Sequence, residues 1–357
     1  MSETSSNKPT HPKTVFIVGA GASKEVGLPI GSELKKSIAR VLDIRFKFAG
    51  GMVSGDDRIA EALRIEAGRS DPPSRDINPL IHAGWRIRDA MPQAISIDDF
   101  IDSQSGDKQV ELCGKLAIVR TILEAEAESK LFVKFLGNHR LEFDGLEDTW
   151  FYRFVQMLIT SCSVSNLAIR LKSVAFVIFN YDRCVEHYLY NAIQRYYSVS
   201  AEDAANVLKC LEIYHPYGTI GSLSWLSTQN TIEFGATPHA RQLLGLASSI
   251  KTFSEVTDES SGDVNSIRSI METSHKLIFL GFAFHRMNIQ LLLPKAISGE
   301  RRIFATGLGM SRSNTDFISA DLASRLSISE GDIQIRDITC SRLIQEYWQN
   351  LSFVNAA

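Results

Sequence analysis

The chain has 357 residues, 44% of them hydrophobic and 22% charged, with a formal net charge of −3. This is globular composition, long enough for one large core or two unequal lobes. The mild acidity excludes a protein that grips nucleic acid over its whole surface, and without a run of about 18 apolar residues no membrane span is expected.

The first stretch, MSETSSNKPTHPK, is polar and has no apolar h-region. Residues 1–12 are therefore expected to form a disordered tail, and the protein to be cytoplasmic. VFIV, Val15 to Val18, is a short β-branched apolar run that enters a glycine-rich turn, and reads as a buried parallel strand. Ser32–Leu42 carries Leu34, Ile38, Val41 and Leu42 at helical spacing. From Phe46 to Asn78 the breakers GGMVSGDD and SDPPSRD predict loops, with one short helix at Asp57–Glu66. The pattern is then helical from Ser96 to Cys162. Ser96 is a predicted N-cap with acidic residues in the first turn, and a long helix follows from Lys108, then an amphipathic one over Trp150–Ile159. Strand signals return at Val174–Phe179, Leu211–Tyr214, Leu277–Leu280, Ile303–Ala305 and Ile333–Ile338.

Strands separated by helices at this spacing predict an α/β fold with a doubly wound parallel, Rossmann-like sheet. The expected division is a core over 13–45 and 166–357, with a mostly helical insertion over 46–165. The cysteines, Cys113, Cys162, Cys184, Cys210 and Cys340, have no C-x-x-C spacing. A zinc module needs two close pairs, so none is expected, and the thiols read as buried or reduced spectators.

Polar residues close several of these strands, at the edge where open α/β sheets bind ligands. Gly19 and Gly21 form G-x-G, whose backbone can approach an anion. Lys24 stands where the dinucleotide fingerprint has its third glycine, which weakens a dehydrogenase reading. Asn180 and Asp182 end the Val174–Phe179 run, either as site residues or with Asp182 capping the next helix. His215 precedes Pro216, Tyr217 and Gly218, as a general base or a structural loop histidine. Gly281, followed by His285, Arg286 and Asn288, closes the fourth strand. Thr306, Gly307 and Gly309 close the fifth. There is no paired-carboxylate metal constellation of the kind a nuclease uses.

Taken together, GAGAS at 19–23, GLP at 27–29, FNYD at 179–182, HPYG at 215–218 and LGF at 280–282 resemble the sirtuin-like superfamily. More specifically they look like its bacterial anti-phage branch of NAD hydrolases. SIDDF at 96–100 and GKLAIVRTILEAEAESKL at 114–131 are similar to that branch's helical insertion. The resemblance implies NAD+ as substrate. Gly19, Ala20, Gly21 and Ser23 would wrap the diphosphate, Asn180 would contact the nicotinamide ribose and place the water, and Asp182 would hold the carboxamide. Gly281 and Thr306 would lie near the adenosine half.

Three departures stand out. Where the family has its basic histidine immediately before the glycine, this chain has Tyr217, and His215 lies two residues earlier. The chain lacks the zinc module that helps form an acyl-lysine groove. Pro29 is followed by Ile30 and Gly31 rather than an aromatic–Arg pair, which further disfavours deacylation.

The expected chemistry is cleavage of NAD+ to ADP-ribose and nicotinamide with Asn180 and His215 as catalytic residues, Tyr217 beside the cofactor and no metal. The implied setting is anti-phage defence by NAD depletion, gated by homo-oligomerisation or a partner, for which a HerA-type ATPase is the favoured candidate. The alternative is a sensor subunit that binds NAD or ADP-ribose without turnover.

Overall fold

The first strand alternates its side chains between two cores. Val15 and Ile17 face one, and Phe16 and Val18 face the other, all of them buried. Such a strand has no wet side, which is why it reads as a continuous apolar run. The computed structural model describes residues 13–48, 50–69, 72–133, 140–258, 262–293 and 299–353. The tail expected over 1–12 lies outside them.

The main sheet contains β1 (Lys13–Val18), β4 (Val174–Ile178), β5 (Glu212–Tyr214), β6 (Ser274–Leu280), β7 (Arg302–Thr306) and β8 (Ile333–Arg336). Between β1 and β4 lies a small antiparallel hairpin, β2 (Arg45–Phe46) with β3 (Met52–Ser54). The six-stranded sheet runs β5-β4-β1-β6-β7-β8 and every pairing is parallel. From the central β1 the chain steps outward through β4 and β5, then returns to the other side of β1 for β6, β7 and β8. This is the doubly wound order of dinucleotide-binding sheets, and its switch point lies between β1 and β6.

Helices cover both faces. On the face with Val15, Ala175, Val177, Leu277 and Phe279 pack Gly31–Leu42, Asp57–Ala67, Asn78–Ala90 and Lys108–Glu128. Trp150–Ile159 and Val164–Lys172 pack on the opposite face with Phe16 and Phe176. The described residues of 46–165 therefore contribute to both layers and share their cores with the sheet. Ser96 caps Ile97–Ser103 as expected, its Oγ accepting from Asp99 N at 3.0 Å. The loop expected before Asn78 also holds the hairpin, whose pairing the breaker-rich sequence concealed.

The long helix Lys108–Glu128 is buried on nearly every side. Glu126 within it is fully buried and pairs with Arg183 at 2.5 Å. That guanidinium also donates to the Ile232 carbonyl at 2.5 Å. Burial pushes the Glu126 carboxyl up, and Arg183 opposes this. A buried ion pair of this kind holds only while both partners are present.

Among the described residues no single helix is long and apolar enough to cross a membrane.

Candidate functional site

At the carboxyl edge of the sheet, the turn after β1 and the turn after β6 meet backbone to backbone. Gly19 N donates to Leu280 O at 2.9 Å, and Gly21 N to Gly281 O at 3.0 Å. A Cβ on Gly19 would fall 2.6 Å from Gly281 O, and one on Gly281, whose φ is +56°, would overlap the Ala22 nitrogen. These glycines are required first for the two turns to touch. The turn after β1 then makes only the short helix Ala20–Ser23 and a 3-10 turn over Lys24–Val26 before Gly27 ends it. The position of the missing third glycine thus never packs under a long helix. Lys24 instead turns to the exposed rim and pairs with Glu33 at 2.6 Å.

Against these turns lies a cleft of about 620 Å³, within the ~300–1,000 Å³ typical of ligand sites. Gly19, Ala20, Gly21, Asn180, Asp182, Gly281 and Thr306 all line it, so most of the expected site residues do converge. The strand order divides it. Asn180, Tyr181 and Asp182 lie on the β4 side of the G-x-G turn, and Thr306, Leu308, Ile338 and Thr339 on the β7–β8 side. Thr306 Oγ1 accepts from Gly281 N at 2.8 Å, which fixes the β6 turn against β7.

Ser23 does not line the cleft. It is buried behind it, where Asn180 Nδ2 donates to Ser23 Oγ at 3.0 Å. The same hydroxyl bonds the Asp182 carboxylate. Asp182 Oδ1 also accepts from Cys184 N at 3.1 Å. Asp182 stands one residue before Arg183, the N-cap of the helix Cys184–Tyr197, and lines the cleft. Burial is the main influence on Asp182 and pushes its carboxyl up, against these hydrogen bonds.

Two further expected residues, His215 and Tyr217, also lie outside the cleft. His215 does not line the cleft. It lines a separate cavity of about 280 Å³, with Glu186, Thr219 and Trp225. Its Nε2 lies 2.7 Å from Glu186 Oε1, and its Nδ1 lies 3.3 Å from the Asn180 carbonyl. His215 directly follows the three-residue β5 and precedes Pro216, and its imidazole lies against the Asn180 carbonyl and Glu186 and not in the cleft. Burial alone would lower its pKa, but the Glu186 carboxylate and the Asn180 carbonyl hold it raised. Tyr217 does not line the cleft either. It is buried, donates to Asn288 Oδ1 at 2.6 Å and packs edge-on against Phe179.

The residue patterns passed over Asp98 and Glu25, which both line the cleft. In the sequence Asp98 reads as an acidic first-turn residue of its helix, within the SIDDF stretch similar to the helical insertion, and not as a site residue. It accepts a hydrogen bond from the Tyr181 hydroxyl, across 83 positions of sequence. Burial pushes its carboxyl up to about 6, while the Tyr181 bond works the other way. Glu25 accepts from Trp150 N at 2.7 Å and Ser341 N at 2.9 Å, and so ties two helix starts to the turn after β1.

All five cysteines are free, and among the described residues no group of three or more His, Cys, Asp or Glu side chains is placed to hold a metal ion. Fold and cleft together define an α/β protein of Rossmann-like architecture with a ligand-sized cleft at the sheet's switch point. No protein-family model matches the chain, and no curated protein matches it significantly.

Proposed function

We propose that the protein is an NAD+ glycohydrolase that cleaves NAD+ to ADP-ribose and nicotinamide. The observation that carries this reading is the convergence of Gly21, Asn180, Asp182 and Gly281 on one cleft at the switch point of the sheet. A dinucleotide laid across that point has its diphosphate at the G-x-G turn and its two nucleosides on either side. The glycosidic bond to nicotinamide is already activated, since its cleavage yields a neutral pyridine. The protein then needs to orient the ribose, stabilise an oxocarbenium-like state and admit water. Asn180 is the group for the ribose and the water, held from behind by Ser23. His215 acts through the Asn180 carbonyl as a positioning residue.

The resemblance extends the proposal to anti-phage defence by NAD depletion. Unchecked hydrolysis would kill the host, so turnover is gated by self-assembly or by a partner such as a HerA-type ATPase. Mass measurement in solution, with and without the product of the neighbouring gene, tests this.

One observation favours a second reading. With His215 outside the cleft, the site suits a sensor that binds NAD or ADP-ribose without cleaving it. Incubation with NAD followed by chromatography separates the two: released nicotinamide marks the hydrolase, and bound intact NAD marks the sensor.

A further inference from the structure

The inference here rests on the hydrolase reading and names the group it still lacks. Hydrolysis needs an acceptor for the proton that the attacking water gives up. His215 faces another cavity, and most titratable groups of the cleft are already committed. Lys24 is paired with Glu33, Lys35 donates to the Ala94 carbonyl, Glu25 holds two backbone amides, and Asp182 is held by Cys184 N and Ser23. His285 is exposed and lies beyond β6, across the turn from Asn180.

Asp98 differs from these. It stands at the start of Ile97–Ser103, lines the cleft, and is fixed by the hydroxyl of Tyr181. Tyr181 directly follows Asn180 on the loop after β4, so Asp98 is tied to the β4 side of the cleft, the side on which the proposed function sets the nicotinamide ribose. We infer that Asp98 is the catalytic base of this cleft, taking the proton from the water that attacks C1′ of the nicotinamide ribose, with Tyr181 as its positioning residue. The water oxygen bonds to C1′ as the C1′–N bond breaks. The electron pair of that bond passes to the pyridinium nitrogen, and the water proton passes to the carboxylate and then to solvent.

The surroundings suit a base that works near neutral pH. Burial chiefly raises the Asp98 carboxyl to about 6, Asp102 and Asp99 on its own helix add to this, and the Tyr181 hydroxyl opposes it. From the loop after β5, Tyr217 feels both Asp98 and Asp102. From the helices packed on this one, Glu255 is engaged by Lys115 at 2.8 Å and Arg88 by Asp43 at 2.5 Å, while Ser254 Oγ donates to Asp102 at 2.7 Å. No neighbouring cation is thus left to pull the Asp98 carboxyl down among the groups named.

The test is nicotinamide release measured against pH, alongside ADP-ribose binding by calorimetry, for wild type, D98N and Y181F. Wild-type turnover should rise with pH through about 6 and level off. D98N should lose about a hundredfold or more in kcat, and lose the inflection, while ADP-ribose affinity stays within about threefold. Y181F should move the inflection to higher pH, because the lost hydrogen bond favoured the charged carboxylate. A purely structural role would lower thermal stability and ADP-ribose affinity together and leave the inflection in place, which overturns the inference. D98N turnover within a few-fold of wild type also overturns it and leaves the hydrolase reading standing. Wild-type protein that binds ADP-ribose yet releases no nicotinamide at any pH, over concentrations that span any self-association and with the neighbouring gene product added, overturns both.

Discussion

Asn180 Nδ2 donates to Ser23 Oγ at 3.0 Å, and this bond joins the crossover after β1 to the loop after β4. Ser23 is buried and also bonds Asp182, so one hydroxyl orients two cleft residues at once. Ser23→Ala should leave the Asn180 amide without this partner and cost about 1–3 kcal/mol of stability. Turnover should fall about tenfold to a hundredfold through lost orientation. Thermal melting and nicotinamide release measure the two effects, and a variant with wild-type turnover would remove Ser23 from the account.

The contact of Gly21 with Gly281 predicts an asymmetry among glycines that the sequence alone does not show. Gly281→Ala should destabilise strongly, since its φ is +56° and the new Cβ would strike the Ala22 nitrogen. Gly31→Ala, at the first turn of Gly31–Leu42, meets nothing within 4 Å and should be neutral or slightly stabilising. Denaturant midpoints of the two variants compare them directly.

Breaking the buried pair should be costly. Arg183→Met strands the Glu126 carboxylate in a fully buried site and should cost about 3–5 kcal/mol. Adding Glu126→Leu should recover part of that loss, because the uncompensated charge is then gone. A double variant no more stable than Arg183→Met would contradict this reading of the pair.

The His215–Glu186 pair carries a pH signature. The folded His215 pKa is raised above its ordinary 6.5. The stability it contributes is therefore full below about 6.5 and is lost as pH rises through the higher folded value. The melting-temperature gap between wild type and Glu186→Gln should narrow as pH rises through that window. A gap independent of pH would mean that the imidazole is not charged against Glu186.

Much of this architecture was legible because VFIV, VAFVI and LIFL are buried on both faces and so read as unbroken apolar runs. Their order in the sheet was not legible, since it depends on which crossover returns past β1. The convergence of Gly21, Asn180 and Gly281 followed from polar residues ending buried strands. For His215 the motif gives a position in sequence and not a direction: the ring bonds Glu186 and lines the second cavity instead of the cleft. Asp98 was hidden for the opposite reason. Its partner Tyr181 is distant in sequence, and an acid in a helical first turn has a sufficient local explanation.

The most direct measurement is chromatography of NAD incubated with purified wild-type and Asn180→Ala protein, over concentrations that span any self-association and with the neighbouring gene product added. The account predicts that wild type releases nicotinamide and ADP-ribose in equal amounts, and that Asn180→Ala loses about a hundredfold or more of that rate while still binding ADP-ribose. Equal release by both proteins, or none by wild type under every one of these conditions, would contradict it.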